Sequence, residues 1–327
     1  MDISKIEVKQ SSKFNTGSVG YVELITGTYE NKDIKVVVKT QKKWERVGDL
    51  NSWRREYDLY TSDFEKIFTE NFRWPKCYYA EINNDETETK LWLEYIEGDT
   101  NEDLTMEICE KISKELGYFH AKLYANKAKI TVESLCHQDA MKNFYHYNRS
   151  KNGLYDFIRQ TNNEIPPHLC KMIINMDEKA DAIWAKIEKL PIVIRHGDFF
   201  PPNIFYLNNQ VDSQSQVVSI DWDSAGWSYL GEDLVGFITE TNDLDHMVEL
   251  YQKCAPAYLN AFCQSLNSTV PQIKNLYIYE RIIMHMGYRM IDKFDWRGLE
   301  KTASAQEFDM NVLQKIYEMG IKNKDSY

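Results

Sequence analysis

The segment His196-Gly197-Asp198-Phe199-Phe200-Pro201-Pro202-Asn203 follows a short apolar run, Ile192-Val193-Ile194-Arg195, and a second such run ends in Ile220-Asp221-Trp222-Asp223. Asp198, Asn203 and Asp221 supply a candidate base and two oxygen ligands for a hard divalent ion, the set needed when a hydroxyl attacks metal-bound ATP. An Asp–Asn pair by itself reads as a capped turn. The order HxDxxxxN followed by IDWD tips the balance toward chemistry. Arg195 reads as a phosphate contact, a support for the loop or a solvated cation. Trp222, Trp227 and Tyr229 read either as faces for a cationic or ring-bearing substrate or as packing material. His120 shares a helical face with Leu116 and Leu123, which points to a hydrogen-bonded, partly buried side chain and not to proton transfer.

Such loops need elements to hold them. Alternating polar and β-branched or aromatic residues over 20–26 and 33–39 predict two strands joined by a turn near Glu30-Asn31-Lys32. Over residues 49–68 the period becomes helical, with Trp53, Tyr57, Tyr60, Phe64 and Phe68 forming an apolar stripe and Glu56 at its edge. Strands near 77–82 and 90–96 follow. Leu104, Ile108, Ile112 and Leu116 then open a series of helices, with others predicted at 165–189, 232–241, 243–267, 272–292 and 299–318. Short strands at 192–195, 204–207 and 217–220 are interleaved, and the polar stretch 208–216 reads as a hairpin tip. The turn Glu97-Gly98-Asp99-Thr100 divides a β-rich first part, 1–96, from a mainly helical second part, 97–327. The pattern is that of an α+β protein.

In its motifs the chain resembles the aminoglycoside phosphotransferase and choline kinase superfamily over most of its length. His196-Gly197-Asp198 with Asn203, and Ile220-Asp221-Trp222-Asp223 followed by Asp233-Leu234, carry the resemblance. It implies a bilobal protein-kinase-like fold, with a small β-rich nucleotide-binding N-lobe and a large mainly helical C-lobe for catalysis and the acceptor. In that frame Asp198 orients or deprotonates the acceptor hydroxyl, Asn203 and Asp221 hold Mg2+, His196 shapes the catalytic loop, and Asp233 is a structural acid. Lys39 ends the run Val36-Val37-Val38, so a strand fixes its stem, and the resemblance sends its ammonium to the α- and β-phosphates of ATP. Glu56 is its best partner, although Trp53-Arg54-Arg55-Glu56-Tyr57 also permits an ordinary surface salt bridge. Gly17, Ser18 and Gly20 could bring backbone N–H groups to the phosphates, a simple tight turn being the alternative. Leu91 to Gly98 resembles the connector between kinase lobes, where the backbone of Glu94 and Ile96 would read adenine. The chain departs from common family forms at Phe200, where a second histidine is frequent, and at Pro202, where glycine is frequent. The implied function is ATP- and Mg2+-dependent transfer of the γ-phosphoryl group to a hydroxyl of a small cationic acceptor such as an aminoglycoside, amino sugar or amino alcohol. A catalytically inactive, kinase-like nucleotide-binding or scaffold protein is the alternative.

Fifty acidic residues against 39 Lys and Arg give a net charge of -11, which argues against nucleic acid or an anionic membrane as the main partner. Residues 196–252 hold ten Asp or Glu and no Lys or Arg, so nearly all of that charge lies on the segment bearing the proposed loops. A metal and a cationic acceptor would both answer it. The six cysteines and seven histidines form no CxxC, HExxH or HxH pattern, so reduced thiols and no structural transition metal are expected. Without an apolar leader or a long apolar span, a cytoplasmic location is the expectation.

Overall fold

A type I′ two-residue hairpin turn needs positive φ at both central positions, and Glu30 and Asn31 adopt 50° and 61°. They join β2 (Gly20–Tyr29) to β3 (Lys32–Lys42) in the computed structural model, which describes residues 1–14, 20–44, 49, 51–140, 142, 143, 146, 166–208, 215–240, 244–266, 281, 314 and 318. With β1 (Glu7–Phe14), β5 (Cys77–Ile82) and β6 (Glu88–Glu94) they form an antiparallel sheet in the order β1-β2-β3-β6-β5. Period two in β3 buries Val36, Val38 and Thr40 and turns Lys39 to the opposite face, in register with Val22 and Leu91. The edge strand β1 escaped the sequence pattern because every one of its residues is exposed, so it has no inside-outside alternation to display.

The single helix predicted over 49–68 is two elements. Helix α1 (Ser52–Tyr60) stops where the Thr61 and Ser62 hydroxyls donate to the carbonyls of Tyr57 (2.8 Å) and Leu59 (2.7 Å). Ser62 then caps a short 3-10 turn, Asp63–Ile67. The face of α1 also differs from the predicted stripe. Ser52, Arg55, Glu56 and Leu59 are buried at helical spacing, together with Trp53, whereas Tyr57 and Tyr60 are only partly covered. Two charged residues occupy the inner stripe because they have polar partners there, so apolar periodicity found the buried Trp53, Phe64 and Phe68 but passed over Arg55 and Glu56.

Helix α2 (Met106–Asn126), capped by Thr105, packs along the long helix α5 (Leu244–Ser265), and between them in sequence lie α3 (Pro167–Ile187) and α4 (Glu232–Thr239). Predicted helices at 272–292 and 299–318 fall almost wholly outside the described residues, as does the tip 209–214. Around the loops of interest lie two small sheets. β7 (Ile192–Arg195) pairs with β10 (Gly226–Tyr229), and β8 (Ile204–Asn208) pairs with β9 (Ser215–Ser219). β4 (Phe72–Arg73), from the first part of the chain, adds to β9 in parallel, Phe72 opposite Val217 and Arg73 opposite Val218.

One aromatic cluster crosses the same boundary. Phe72 stacks at 4.6 Å from Phe119 and Phe68 at 5.0 Å from it, while Phe64, Phe68 and Trp74 all lie edge-on or near to Trp222. The two parts of the chain therefore share a core and cannot separate without exposing it. Phe72→Ala should cost about 3–5 kcal/mol of stability in chemical denaturation. A loss below about 1 kcal/mol would show that this junction does not hold the parts together.

Candidate active site

β7 is too short to fix a loop unaided, and the turn after it is held by one carboxylate. Asp233, in the first turn of α4, accepts the backbone N–H of His196 (2.7 Å) and of Gly197 (3.0 Å). His120 Nε2 lies 3.4 Å from the same carboxylate, and its Nδ1 lies 2.6 Å from the Tyr258 hydroxyl. Burial by itself would raise the Asp233 carboxyl, yet the hydrogen bonding and charge of His120 and the Gly197 N–H hold it below the ordinary range. Gly197 takes φ 87°, and a Cβ there would meet the Ser224 carbonyl at 2.3 Å. His196 accepts from the Asp198 N–H at Nδ1 (3.2 Å) and donates from Nε2 to the Ile220 carbonyl (2.9 Å), which defines a neutral tautomer. Burial lowers its pKa, and Trp222 covers the ring at 4.5 Å. His196 thus links the Asp198 turn to the residue before Asp221.

The Asn203 amide nitrogen donates to the Asp198 carbonyl (3.0 Å) and carboxylate (3.2 Å), so its amide oxygen is the atom it offers to a cation. The Asn203 carbonyl accepts from Ile220 N–H at 2.9 Å, tying this turn also to the strand end before Asp221. Asp221 adopts a left-handed backbone, φ 68° and ψ 65°, an uncommon and strained conformation for a residue with a side chain. Lys39 Nζ bonds to the Asp221 carboxylate and lies 2.5 Å from Glu56 Oε2. Glu56 Oε1 accepts from the Trp222 N–H at 3.2 Å. Burial opposes the Lys39 charge, but Asp221, Glu56 and Asp223 together hold its pKa well above that of an ordinary lysine. Lys39 is therefore a fixed cation. Among the described residues, no three His, Cys, Asp or Glu side chains gather to hold a metal. The Asn203 and Asp221 oxygens are hard donors that fit Mg2+ when phosphate oxygens and water complete its shell.

These contacts bring strand β3, helix α1, the loop after β7 and the turn after β9 together, and the ecdysteroid kinase-like family profile matches residues 21–270, which span all four. The chain belongs to the ecdysteroid kinase-like family. No curated protein matches it by sequence. Among solved structures, a microcompartment-associated aminopropanol kinase aligns with a TM-score of 0.63 at 10% identity, over 99% of this chain and 96% of that one. An amicoumacin kinase in complex with AMP-PNP, Ca2+ and Ami gives 0.60 at 11% identity, over 97% and 91%. The Plasmodium vivax ethanolamine kinase gives 0.55 at 12% identity, over 98% and 84%. The fold is thus the bilobal, protein-kinase-like α+β fold of small-molecule kinases.

Within this ecdysteroid kinase-like chain, Lys39, Glu56 and Asp221 form one contact network and His196, Asp198 and Asn203 another. Gly17 and Ser18 lie outside the described residues. Gly20 lies in β2 with φ 136°, and a Cβ there would meet the Thr40 carbonyl at 2.3 Å, so close strand approach by itself requires glycine. Glu94 ends β6 with its N–H on the Lys76 carbonyl (2.8 Å) and its carboxylate on Arg73 (2.6 Å), and Ile96 follows beyond the strand. Arg195 pairs with Glu232 in the interior, which makes it a support for the loop. Trp222 is fully buried and offers no face to a substrate. Phe200 packs toward Gly236, and Pro201–Asn203 form a 3-10 turn that proline suits. Sequence reasoning missed Arg55, completely buried in α1, because nothing distinguishes it from its neighbour Arg54.

Asp233→Asn should destabilise the protein by about 2–3 kcal/mol at neutral pH, since an amide cannot accept both backbone N–H groups with two oxygens. The folded carboxyl titrates below its unfolded value of about 3.8, so the wild-type advantage is full above that value and is lost as pH falls through the lower folded pKa. Denaturation of both proteins across pH checks this. An advantage that persists unchanged into strong acid would contradict the assignment.

Proposed function

We propose that the protein transfers the γ-phosphoryl group of ATP to a hydroxyl of a small molecule. The observation that carries the reading is the Lys39–Glu56–Asp221 network beside the Asp198–Asn203 turn. Lys39 can exchange its Asp221 contact for the α- and β-phosphates while Glu56 keeps it charged and oriented. Asp198, placed by Asn203 and by the His196 ring, orients the acceptor hydroxyl and receives its proton. Asn203 and Asp221 would hold Mg2+, which would offset the negative charge of the phosphates. Because the Glu94 N–H already bonds to Lys76, adenine would be read there through the Glu94 carbonyl and through the Ile96 backbone. Gly17, Ser18 and Gly20 remain the proposed phosphate turn. Most of the acceleration in such a site comes from positioning and electrostatics.

The acceptor is proposed as a hydroxyl-bearing small molecule, cationic on the strength of the acidic 196–252 segment. Three of its acids already have partners inside the protein: Asp221 with Lys39, Glu232 with Arg195, and Asp233 with His120 and two backbone N–H groups. An acceptor's charge is therefore matched by fewer acids than the sequence count suggests. The family's name adds an ecdysteroid as an uncharged acceptor to test beside aminoglycosides, aminopropanol and ethanolamine. Incubated with ATP and Mg2+, the protein should add one phosphoryl group to a member of such a panel, read by mass spectrometry. Asp198→Ala should lower that rate about 10²–10⁴-fold while nucleotide binding persists. No product across the panel, or an active Asp198→Ala protein, would overturn the reading and favour a nucleotide-binding scaffold.

A further inference from the structure

Arg54 and Arg55 are adjacent, but their surroundings are opposite. Arg54 lies toward the surface and pairs with Asp58 one turn on, at 3.0 Å. Arg55 is wholly buried, and its guanidinium is engaged on three sides. Its Nε donates to the Ser134 carbonyl (2.6 Å), Nη1 and Nη2 grip the Asp49 carboxylate, and Nη1 also donates to the Asp223 carbonyl. A lysine could not make these contacts together, because they use the planar fork.

The Asp223 contact gives Arg55 a role beyond packing. Glu56 accepts the Trp222 N–H, and Arg55 donates to the Asp223 carbonyl, so consecutive residues of α1 hold both sides of the turn that follows Asp221. Asp221 itself is left-handed there, a conformation that persists only where its surroundings impose it. The Gly197 turn approaches the same segment closely at Ser224, whose carbonyl a Cβ at Gly197 would meet at 2.3 Å. We propose that Arg55, oriented by Asp49, is a positioning residue that fixes the Asp221 turn and thereby presents its carboxylate to the metal-bound nucleotide. This rests on the kinase reading above. Arg55 contacts neither reacting group, so its loss acts through Asp221.

The test is calorimetric binding of AMP-PNP to the full chain, once with Mg2+ and once with EDTA. The wild type should bind more tightly with Mg2+, and Arg54→Met should keep that ratio. Arg55→Met should lose about tenfold or more of the ratio while its metal-free Kd stays within about threefold of wild type. If Arg55→Met does not fold by circular dichroism, Arg55→Lys, which retains the charge without the fork, carries the test and should lose part of the ratio. An unchanged ratio in a folded Arg55 variant overturns the proposal, as does a metal-free affinity that falls in the same proportion. A wild type that binds no nucleotide overturns the kinase reading itself, and the Arg54→Met and wild-type arms report that outcome independently of Arg55.

Discussion

A buried ammonium is the constraint around which the cleft is built. Lys39 is largely withdrawn from water within β3, and a cation there is tolerated only with carboxylates beside it. Glu56 comes from α1 and Asp221 from the turn after β9, so satisfying one charge brings three distant segments together. The surrounding packing makes that meeting permanent. β4 joins β9 in one sheet, the Asp99 and Tyr206 backbones exchange hydrogen bonds, and the aromatic cluster around Trp222 fills the space beneath α1. Helix α1 is thereby held against the second part of the chain by packing, by Glu56 and by Arg55.

The same logic explains the turn from His196 to Asn203. Asp233 does for the His196–Gly197 backbone what Glu56 does for Trp222: a buried carboxylate accepts N–H groups that the loop itself leaves unpaired. His196 then passes that order to Asp198 on one side and to Ile220 on the other. Three of the ten acids between 196 and 252, Asp221, Glu232 and Asp233, are paired inside the protein. The count of acids there overstates the field available to a substrate, and a metal site and a cationic acceptor must be argued from individual carboxylates.

Legibility followed the physics of each signal. Strands β2 and β3 show clear alternation, and the loop residues Asp198, Asn203 and Asp221 have distinctive types in a distinctive order, so both were visible in sequence. Strand β1 has two exposed faces and β4 is two residues long, and neither leaves a pattern. In α1 the inner stripe is Ser52, Arg55, Glu56 and Leu59, and a search for apolar periodicity passes over it because burial there is justified by ion pairs. The pairing of His120 with Asp233 spans more than a hundred residues, which local spacing cannot express. Which of two neighbouring arginines turns inward is likewise a tertiary property.

The central claim is that Lys39, Asn203 and Asp221 receive a metal-bound nucleoside triphosphate. A crystal structure of the protein with AMP-PNP and Mg2+ tests it most directly. The account predicts the Lys39 ammonium on the phosphates with its Glu56 contact retained, and the ion on the Asn203 amide oxygen and the Asp221 carboxylate. A nucleotide bound outside this cleft, or an ion held by other side chains, would contradict it.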